Sequence, residues 1–166
     1  MTRIGILSDT HGFLDERIFS YFEPCQEIWH AGDFGGGVAK PLMDFRKTRG
    51  VYGNIDGAPV RDLFGQHAFF ECEQVKVMIT HIGGYPGHYA PGIWPLLQEH
   101  RPDVFVCGHS HILKVMRDKQ LGNLLHLNPG ACGRSGFHEM RTILRLAIDG
   151  KSISQLEVVE LGKRAS

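Results

Sequence analysis

The sequence predicts an α/β fold in which parallel and antiparallel strands form two packed sheets with helices outside. Three observations carry this. The first third alternates strand-like apolar runs with helix-like periodicity, the pattern of parallel crossover units. Next come two apolar runs, 67–72 and 74–80, divided by a short polar stretch, which read as a hairpin. Beyond residue 103 only strand-like segments follow.

Residues 3–8 (Arg-Ile-Gly-Ile-Leu-Ser) read as the first strand. Leu14, Ile18, Phe19 and Phe22 recur at helical spacing, with Asp15 and Glu16 in the first turn and Pro24 just beyond, so a helix is predicted over 14–23. Ile28-Trp29-His30 is a short second strand. Gly35-Gly36-Gly37 turns the chain into a second helix near 38–48, and Gly50-Val51-Tyr52-Gly53 is the third strand. After the hairpin, a helix over 91–100 begins after Pro91 and is stopped by Pro102. Asp103-Val104-Phe105-Val106-Cys107 is a buried strand, followed by strands at 112–117, 121–127, 141–148 and 153–161. Asp149-Gly150 supplies a hairpin turn between the last two.

Composition narrows the class. A chain of 166 residues fits a single domain, 1–166. Eighteen basic and eighteen acidic residues cancel, which removes the electrostatic case for general nucleic-acid or anionic-membrane binding. A small phosphorylated substrate stays compatible, because it needs only a local positive site. No apolar run approaches the ~18–20 residues of a membrane span, and the N-terminus reaches a charge too soon for a secretory signal. Cys25, Cys72, Cys107 and Cys132 are far apart and read as reduced, mostly buried thiols of a cytoplasmic protein. A homo-oligomer is compatible with all of this. Glycine (21) and histidine (10) are both abundant, which suits tight loops and metal or proton chemistry.

The informative pattern lies at the strand ends. Ile4–Leu7 runs into Ser8-Asp9-Thr10-His11-Gly12, and Ile28-Trp29 into His30-Ala31-Gly32-Asp33. Val51-Tyr52 runs into Gly53-Asn54-Ile55-Asp56, Val77–Ile79 into Thr80-His81, and Val104–Cys107 into Gly108-His109-Ser110-His111. Ligands of open α/β sheets bind beyond the carboxyl ends of the strands. Asp9, His11, Asp33, Asn54, His81, His109 and His111 all carry metal-ligand chemistry there. Asp9-x-His11 and His109-x-His111 space ligands two apart, which on an extended backbone puts both on one side. Gly12, Gly32, Gly53 and Gly108 allow sharp turns. Oxygen and imidazole ligands without thiolate suit Mn, Fe, Co, Ni or Zn. If one carboxylate bridges, seven ligands make eight bonds, or two sites of four. Taken singly, each histidine reads as structural and each aspartate as a turn or cap residue; five strand ends together do not.

These ordered motifs resemble the calcineurin-like metallophosphoesterase superfamily. They are Asp9-x-His11, Gly32-Asp33, Gly53-Asn54-x-Asp56, His81 and Gly108-His109-Ser110-His111, with Asn128-Pro129-Gly130 after a late strand. The short length and the Gly-Asn-x-Asp form are similar to its small single-domain prokaryotic phosphodiesterase branch. The resemblance implies a four-layer αββα sandwich, two mixed sheets flanked by helices. It also implies two divalent metal ions, manganese first, with Fe, Ni, Co or Zn as alternatives. Asp9, His11 and His111 would hold one, Asn54, His81 and His109 the other, and Asp33 would bridge. The implied activity is phosphoester hydrolysis, with a diester expected, by in-line attack of a metal-bridging hydroxide while the Asn54 amide helps stabilise the phosphate oxygens.

Two positions depart from the superfamily's pattern. Many members carry histidine directly after the motif asparagine, where it is thought to protonate the leaving group; here it is Ile55. Asp56 and His88 are the candidate acids, Asp56 weighed against a turn-stabilising role and His88 against a surface one. His81 is followed by Ile82 instead of glycine, and Gly83–His88 reads as a mobile loop near the site. His30 is expected to support a ligand, Arg134 to stand at the surface or reach a phosphate, and His67, His100, His126 and His138 to be surface or structural. The competing reading is a scaffold that keeps the fold without catalysis, as in the retromer subunit similar to this family. The complete ligand set favours the enzyme, while Ile55 keeps the scaffold in play.

Overall fold

A computed structural model describes residues 1–165. In chain order the elements are β1 (Thr2–Leu7), α1 (Arg17–Tyr21), β2 (Glu27–His30), α2 (Ala39–Phe45), β3 (Lys47–Gly50), α3 (Ala58–Arg61), β4 (His67–Cys72) and β5 (Val75–Thr80). There follow β6 (Gly84–Tyr85), β7 (His88–Tyr89), α4 (Ile93–His100), β8 (Val104–Val106), β9 (Lys114–Asp118), β10 (Leu124–Asn128), β11 (Met140–Asp149) and β12 (Ser152–Lys163).

Two five-stranded sheets form, ordered β12-β11-β1-β2-β3 and β4-β5-β8-β10-β9. In the first, β1, β2 and β3 are parallel, and β11 and β12 add antiparallel beyond β1. In the second, β5, β8 and β10 are parallel, with β4 and β9 antiparallel at the two edges. Each sheet is thus mixed, with a parallel centre of its own.

Strand alternation explains the layering. Successive side chains point to opposite faces. Ile4, Ile6 and Trp29 of the first sheet meet Val77, Ile79, Val104, Val106, Leu125 and Leu127 of the second in one apolar layer. The intervening residues point the other way. Ile28 and Ile143 pack with Ile18, Leu42 and Val60 of α1, α2 and α3 and with Phe22 just past α1. Met78 and Phe105 pack with Ile93 and Leu97 of α4. Three apolar layers therefore separate four structural ones, the αββα sandwich. Fully burying one such side chain stabilises by roughly 1.5–3 kcal/mol. Close packing of α1 on β1 depends on Gly5, where a Cβ would fall 2.4 Å from the Phe22 ring.

Three local expectations shift. The first helix is only Arg17–Tyr21, because Asp15 turns its carboxylate to the Arg17 N–H at 3.0 Å and anchors arginines instead of opening a longer helix. The third strand is Lys47–Gly50 and not 50–53; its polar residues pair with Glu27–His30 on a sheet edge, where apolar alternation is not required. Gly83–His88 includes a two-stranded hairpin, β6 with β7, in place of an irregular loop. The α3 turn, four residues long, is too short to show a period.

Candidate metal centre

The cluster assembles where parallel strands of both sheets run out. Asp9 and His11 follow β1, Asp33 follows β2, Asn54 follows β3, His81 follows β5, and His109 and His111 follow β8. Asp9, His11 and His111 present potential ligand atoms within 4.8 Å of one another, and so do Asp33, His81 and His109. Asn54 joins the second group, its Oδ1 lying 3.1 Å from His109 Nδ1. The sixth parallel strand, β10, ends in Asn128, whose Nδ2 donates to the Gly108 carbonyl and Ser110 Oγ, each at 3.1 Å, and so braces the His109–His111 turn.

The backbone that achieves this is not extended, which corrects the reading of the Asp-x-His and His-x-His spacing. Asp9 (φ 55°), His11 (47°), Asp33 (58°), His109 (70°) and His111 (63°) are all left-handed, and all lie past their strand ends. Non-glycine residues there cost of order 1–3 kcal/mol each, and such strain concentrates at functional sites. The glycines divide by role. Gly32 (φ 103°) needs its conformation, whereas Gly53 and Gly108 supply space: a Cβ on Gly53 would fall 2.0 Å from Asp33 Oδ1, and one on Gly108 2.8 Å from Asp9 Oδ2.

Each aspartate uses one oxygen to hold its place and aims the other into the cluster. Asp9 Oδ2 accepts from Ser8 Oγ (2.7 Å) and the His109 N–H (3.1 Å), while Oδ1 faces His111 Nε2 (3.2 Å), His11 Nε2 (3.7 Å) and His81 Nε2 (3.8 Å). Asp33 Oδ1 accepts the Ile55 N–H (3.0 Å), while Oδ2 lies 3.2 Å from His81 Nε2 and 3.4 Å from His11 Nε2. Asp33 Oδ2 therefore stands between the two groups. Burial pushes both carboxyls up, but the surrounding imidazoles, with Ser8 for Asp9 and the Ile55 N–H for Asp33, outweigh it and hold both below the usual carboxylate range. The His11 imidazole is raised by Asp9, and His81 is raised by Asp33 and Asp9 against its burial. The cluster thus favours positive charge at its centre.

Hydrogen bonds behind the imidazoles set which nitrogen faces inward. His81 Nδ1 donates to the Ala31 carbonyl at 2.7 Å, which leaves the Nε2 lone pair for the cluster. His111 is set by His138. His138 Nε2 is 2.8 Å from the Gly133 carbonyl, which can only accept, so that nitrogen carries the hydrogen. Burial lowers the His138 pKa and keeps the ring neutral, so its Nδ1 accepts from His111 Nδ1 at 3.2 Å. His111 Nε2 is then free to ligate. His138 read as surface or structural in sequence; 27 residues from His111, it carries no motif that points to this contact. Gly136 lets the two rings meet, since a Cβ there would fall 2.4 Å from His111 Nδ1.

Asp9 Oδ1, His11 Nε2 and His81 Nε2 are buried and have no hydrogen-bond partner among the described residues. Such atoms are rare in folded proteins and call for an explanation. Three in one pocket of carboxylate oxygens and imidazole nitrogens fit a divalent metal ion of the Mn-to-Zn series.

The other candidates stand around this cluster. Asp56 is buried, and its carboxylate accepts the N–H groups of Gly53 (2.8 Å), Gly35 (3.0 Å) and Phe34 (3.2 Å), tying the Asn54 turn to the Asp33 turn. His88 is exposed on β7 against the Tyr85 ring. His30 accepts from the Gly32 N–H and donates to Thr10 Oγ1, which donates to the Phe34 carbonyl, so it bridges the Asp9 and Asp33 turns. Arg134 stacks over Phe13. Burial pushes the Cys107 thiol up to about 12, which makes it core filling and not a nucleophile.

A family model for the calcineurin-like phosphoesterase superfamily domain matches residues 2–151. The chain belongs to this superfamily. A probable metallophosphoesterase of Mycoplasma pneumoniae is 30% identical over 138 residues, covering 79% of this chain and 79% of that protein. Among solved structures, a novel archaeal phosphodiesterase superposes with a TM-score of 0.76 at 25% identity, over 96% of this chain and 99% of that one. Wild-type Vps29 complexed with Zn2+ from Entamoeba histolytica gives 0.70 at 15% identity, over 95% and 98%, a likeness of fold alone. The phosphoesterase family is metal-dependent, and the unpartnered atoms of this member are of the kind a metal would engage.

Proposed function

We propose that this phosphoesterase hydrolyses phosphodiesters at a two-metal centre, with residues 1–166 as one catalytic domain. Asp9, His11 and His111 would hold one ion, Asn54, His81 and His109 the other, and Asp33 would serve both. Two divalent ions there, manganese first, would supply an acidified water for in-line attack on phosphorus and positive charge for its oxygens. The observation that carries this reading is the division of labour at the aspartates: one oxygen held by protein donors, the other turned to imidazole nitrogens. Free, buried cysteines support a reducing, cytoplasmic setting.

The chain's own groups do the positioning. Ser8 and the His109 N–H fix the Asp9 carboxylate, and the Ile55 N–H fixes Asp33. Asn54 turns its Oδ1 to His109, which leaves its amide N–H groups to donate to a phosphate oxygen. Asp56, engaged by three N–H donors, acts as a brace in place of an acid. His88 stands exposed beside Tyr85, makes no hydrogen bond to the cluster's turns among the described residues, and is not assigned the proton. Ile55 offers no proton, so departure of the alcohol is weakly assisted. Turnover is expected to fall steeply as the leaving alcohol becomes less acidic; equal rates for nitrophenyl and alkyl leaving groups would contradict this.

The deciding experiment is hydrolysis of bis(p-nitrophenyl) phosphate across Mn, Fe, Co, Ni and Zn by the native chain, Asp33→Ala and His81→Ala. Metal-dependent turnover abolished in both variants is expected. Metal-independent turnover, or full activity in both variants, would refute the enzyme. A native chain inactive in every metal would instead favour the scaffold, a reading supported by the Vps29-like fold and by exposed Ile55, Ile82 and Ile112 near the cluster.

A further inference from the structure

A cavity of about 600 Å³ opens directly beside the cluster, with Asn54 and His81 in its wall. Its size falls within the range of small-molecule sites and far exceeds what a phosphate alone fills. Beyond the neighbours of Asn54 and His81, two further stretches, 61–67 and 90–96, supply the lining. Arg61, Gln66 and His67 bring polar groups; Ile93 and Leu96 of α4 bring apolar ones. Among the described residues no carboxylate lines it.

Arg61 is held ready. Its Nε donates to the Asp56 carbonyl at 2.7 Å, and its guanidinium lies 4.1 Å over the Tyr52 ring. These contacts fix the side chain and leave its terminal nitrogens to donate. His67 is likewise oriented by its Nδ1 contact with Thr80 Oγ1 at 2.7 Å, so its Nε2 edge remains for a ligand. A cavity with preset polar donors and an apolar wall suits a flat ring with acceptor atoms on its edge.

Resting on the phosphodiesterase reading, we propose that this cavity seats the larger ester substituent of the substrate, and that the substituent is a heterocyclic, nucleoside-type group. The ring lies against Ile93 and Leu96, and Arg61 donates to its acceptor edge. Substrates are then diesters of nucleotides, and the smaller or more acidic alcohol leaves.

The test keeps the leaving group constant. The metal-loaded full chain is given p-nitrophenyl esters of thymidine 5′-monophosphate and of methyl phosphate, and KM is compared. The thymidine ester is expected to have a KM lower by about tenfold, the value of one charge-assisted contact plus apolar burial. In Arg61→Ala and in Leu96→Trp, which fills the apolar side, this ratio collapses by at least about fivefold. Equal KM for both esters in the native chain, or an undiminished ratio in both variants, overturns the proposal. Calorimetric titration of the same three proteins with thymidine 5′-monophosphate separates the two readings. Binding weakened in both variants without turnover of any ester keeps the cavity and defeats the phosphodiesterase; turnover without thymidylate binding does the reverse.

Discussion

Removing the His138 imidazole strips His111 of the acceptor for its Nδ1 hydrogen. The ring is then free to take the other tautomer or turn away. Outer partners of this kind typically contribute 10–100-fold in metal affinity. His138→Ala is therefore expected to weaken Mn2+ binding by about 10–100-fold in calorimetry, and His138→Gln, which keeps an acceptor and a donor, to recover part of it. A variant that binds Mn2+ like the native chain would remove His138 from the site. His126 makes a second, separate prediction. It is fully buried, its Nδ1 has no partner among the described residues, and burial lowers its pKa to about 4; His30, also buried, is lowered to about 3. Both would titrate near 6.5 when unfolded, so on acidification the unfolded chain takes the protons first. Their contribution is intact above about pH 6.5 and is lost progressively below it, the loss being complete near pH 4 for His126 and near pH 3 for His30. Between pH 7 and 5 the His126→Leu variant should lose about 2 kcal/mol less stability than the native chain in urea unfolding. Both roles escape the sequence for one reason: a lone histidine carries no mark of the groups its ring nitrogens face.

At the scale of elements, the Asp15 carboxylate is the fastener between α1 and the β11–β12 hairpin. It accepts from buried Arg141 at 3.0 Å and from Arg17 Nη2 at 2.6 Å, and Arg17 and Arg141 both reach the Leu161 carbonyl. The two arginines are unequal: the Arg141 side chain is 2% exposed and that of Arg17 54%. Asp15→Asn leaves a buried guanidinium without its carboxylate and should cost about 3 kcal/mol, whereas Arg17→Ala should cost under about 1 kcal/mol. Similar midpoints in denaturant for the two would show that Arg141 does not depend on Asp15. This contact also marks where pattern reading stops. Asp15 at the head of an apolar period looks like a first-turn acid, because a partner 126 residues away leaves no local trace. A run of apolar residues, such as Val75–Thr80, was readable as a strand; polar Lys47-Thr48-Arg49, paired at an edge through its backbone and through the Arg49–Glu27 ion pair, was not.

Across the whole molecule, the proposed ligands come from both sheets: β1, β2 and β3 on one side, β5 and β8 on the other. A metal held among them would link the sheets as well as serve chemistry. At a thousandfold excess over its Kd an ion stabilises by about 4 kcal/mol, roughly 10 °C in melting temperature for a chain of this size. Stripping with EDTA should lower the melting temperature by about that amount, and restored Mn2+ should recover it. The Asp33→Ala variant should show no such difference; an equal shift there would place the stabilising metal elsewhere. Convergence of the strand ends was foreseeable because parallel strands deliver their carboxyl ends to one place. The turns that aim the side chains were not, since aspartate and histidine, though commoner than most residues in the left-handed region, adopt other conformations far more often.

Those turns have a consequence for how the protein can drift. Asp9, His11, Asp33, His109 and His111 sit where glycine would rest more comfortably. In a lineage released from its chemistry, mutation to glycine at these places would relieve the backbone, and a metal-free descendant could become sturdier than its working ancestor. Decay toward an inert, well-folded relative would then run downhill.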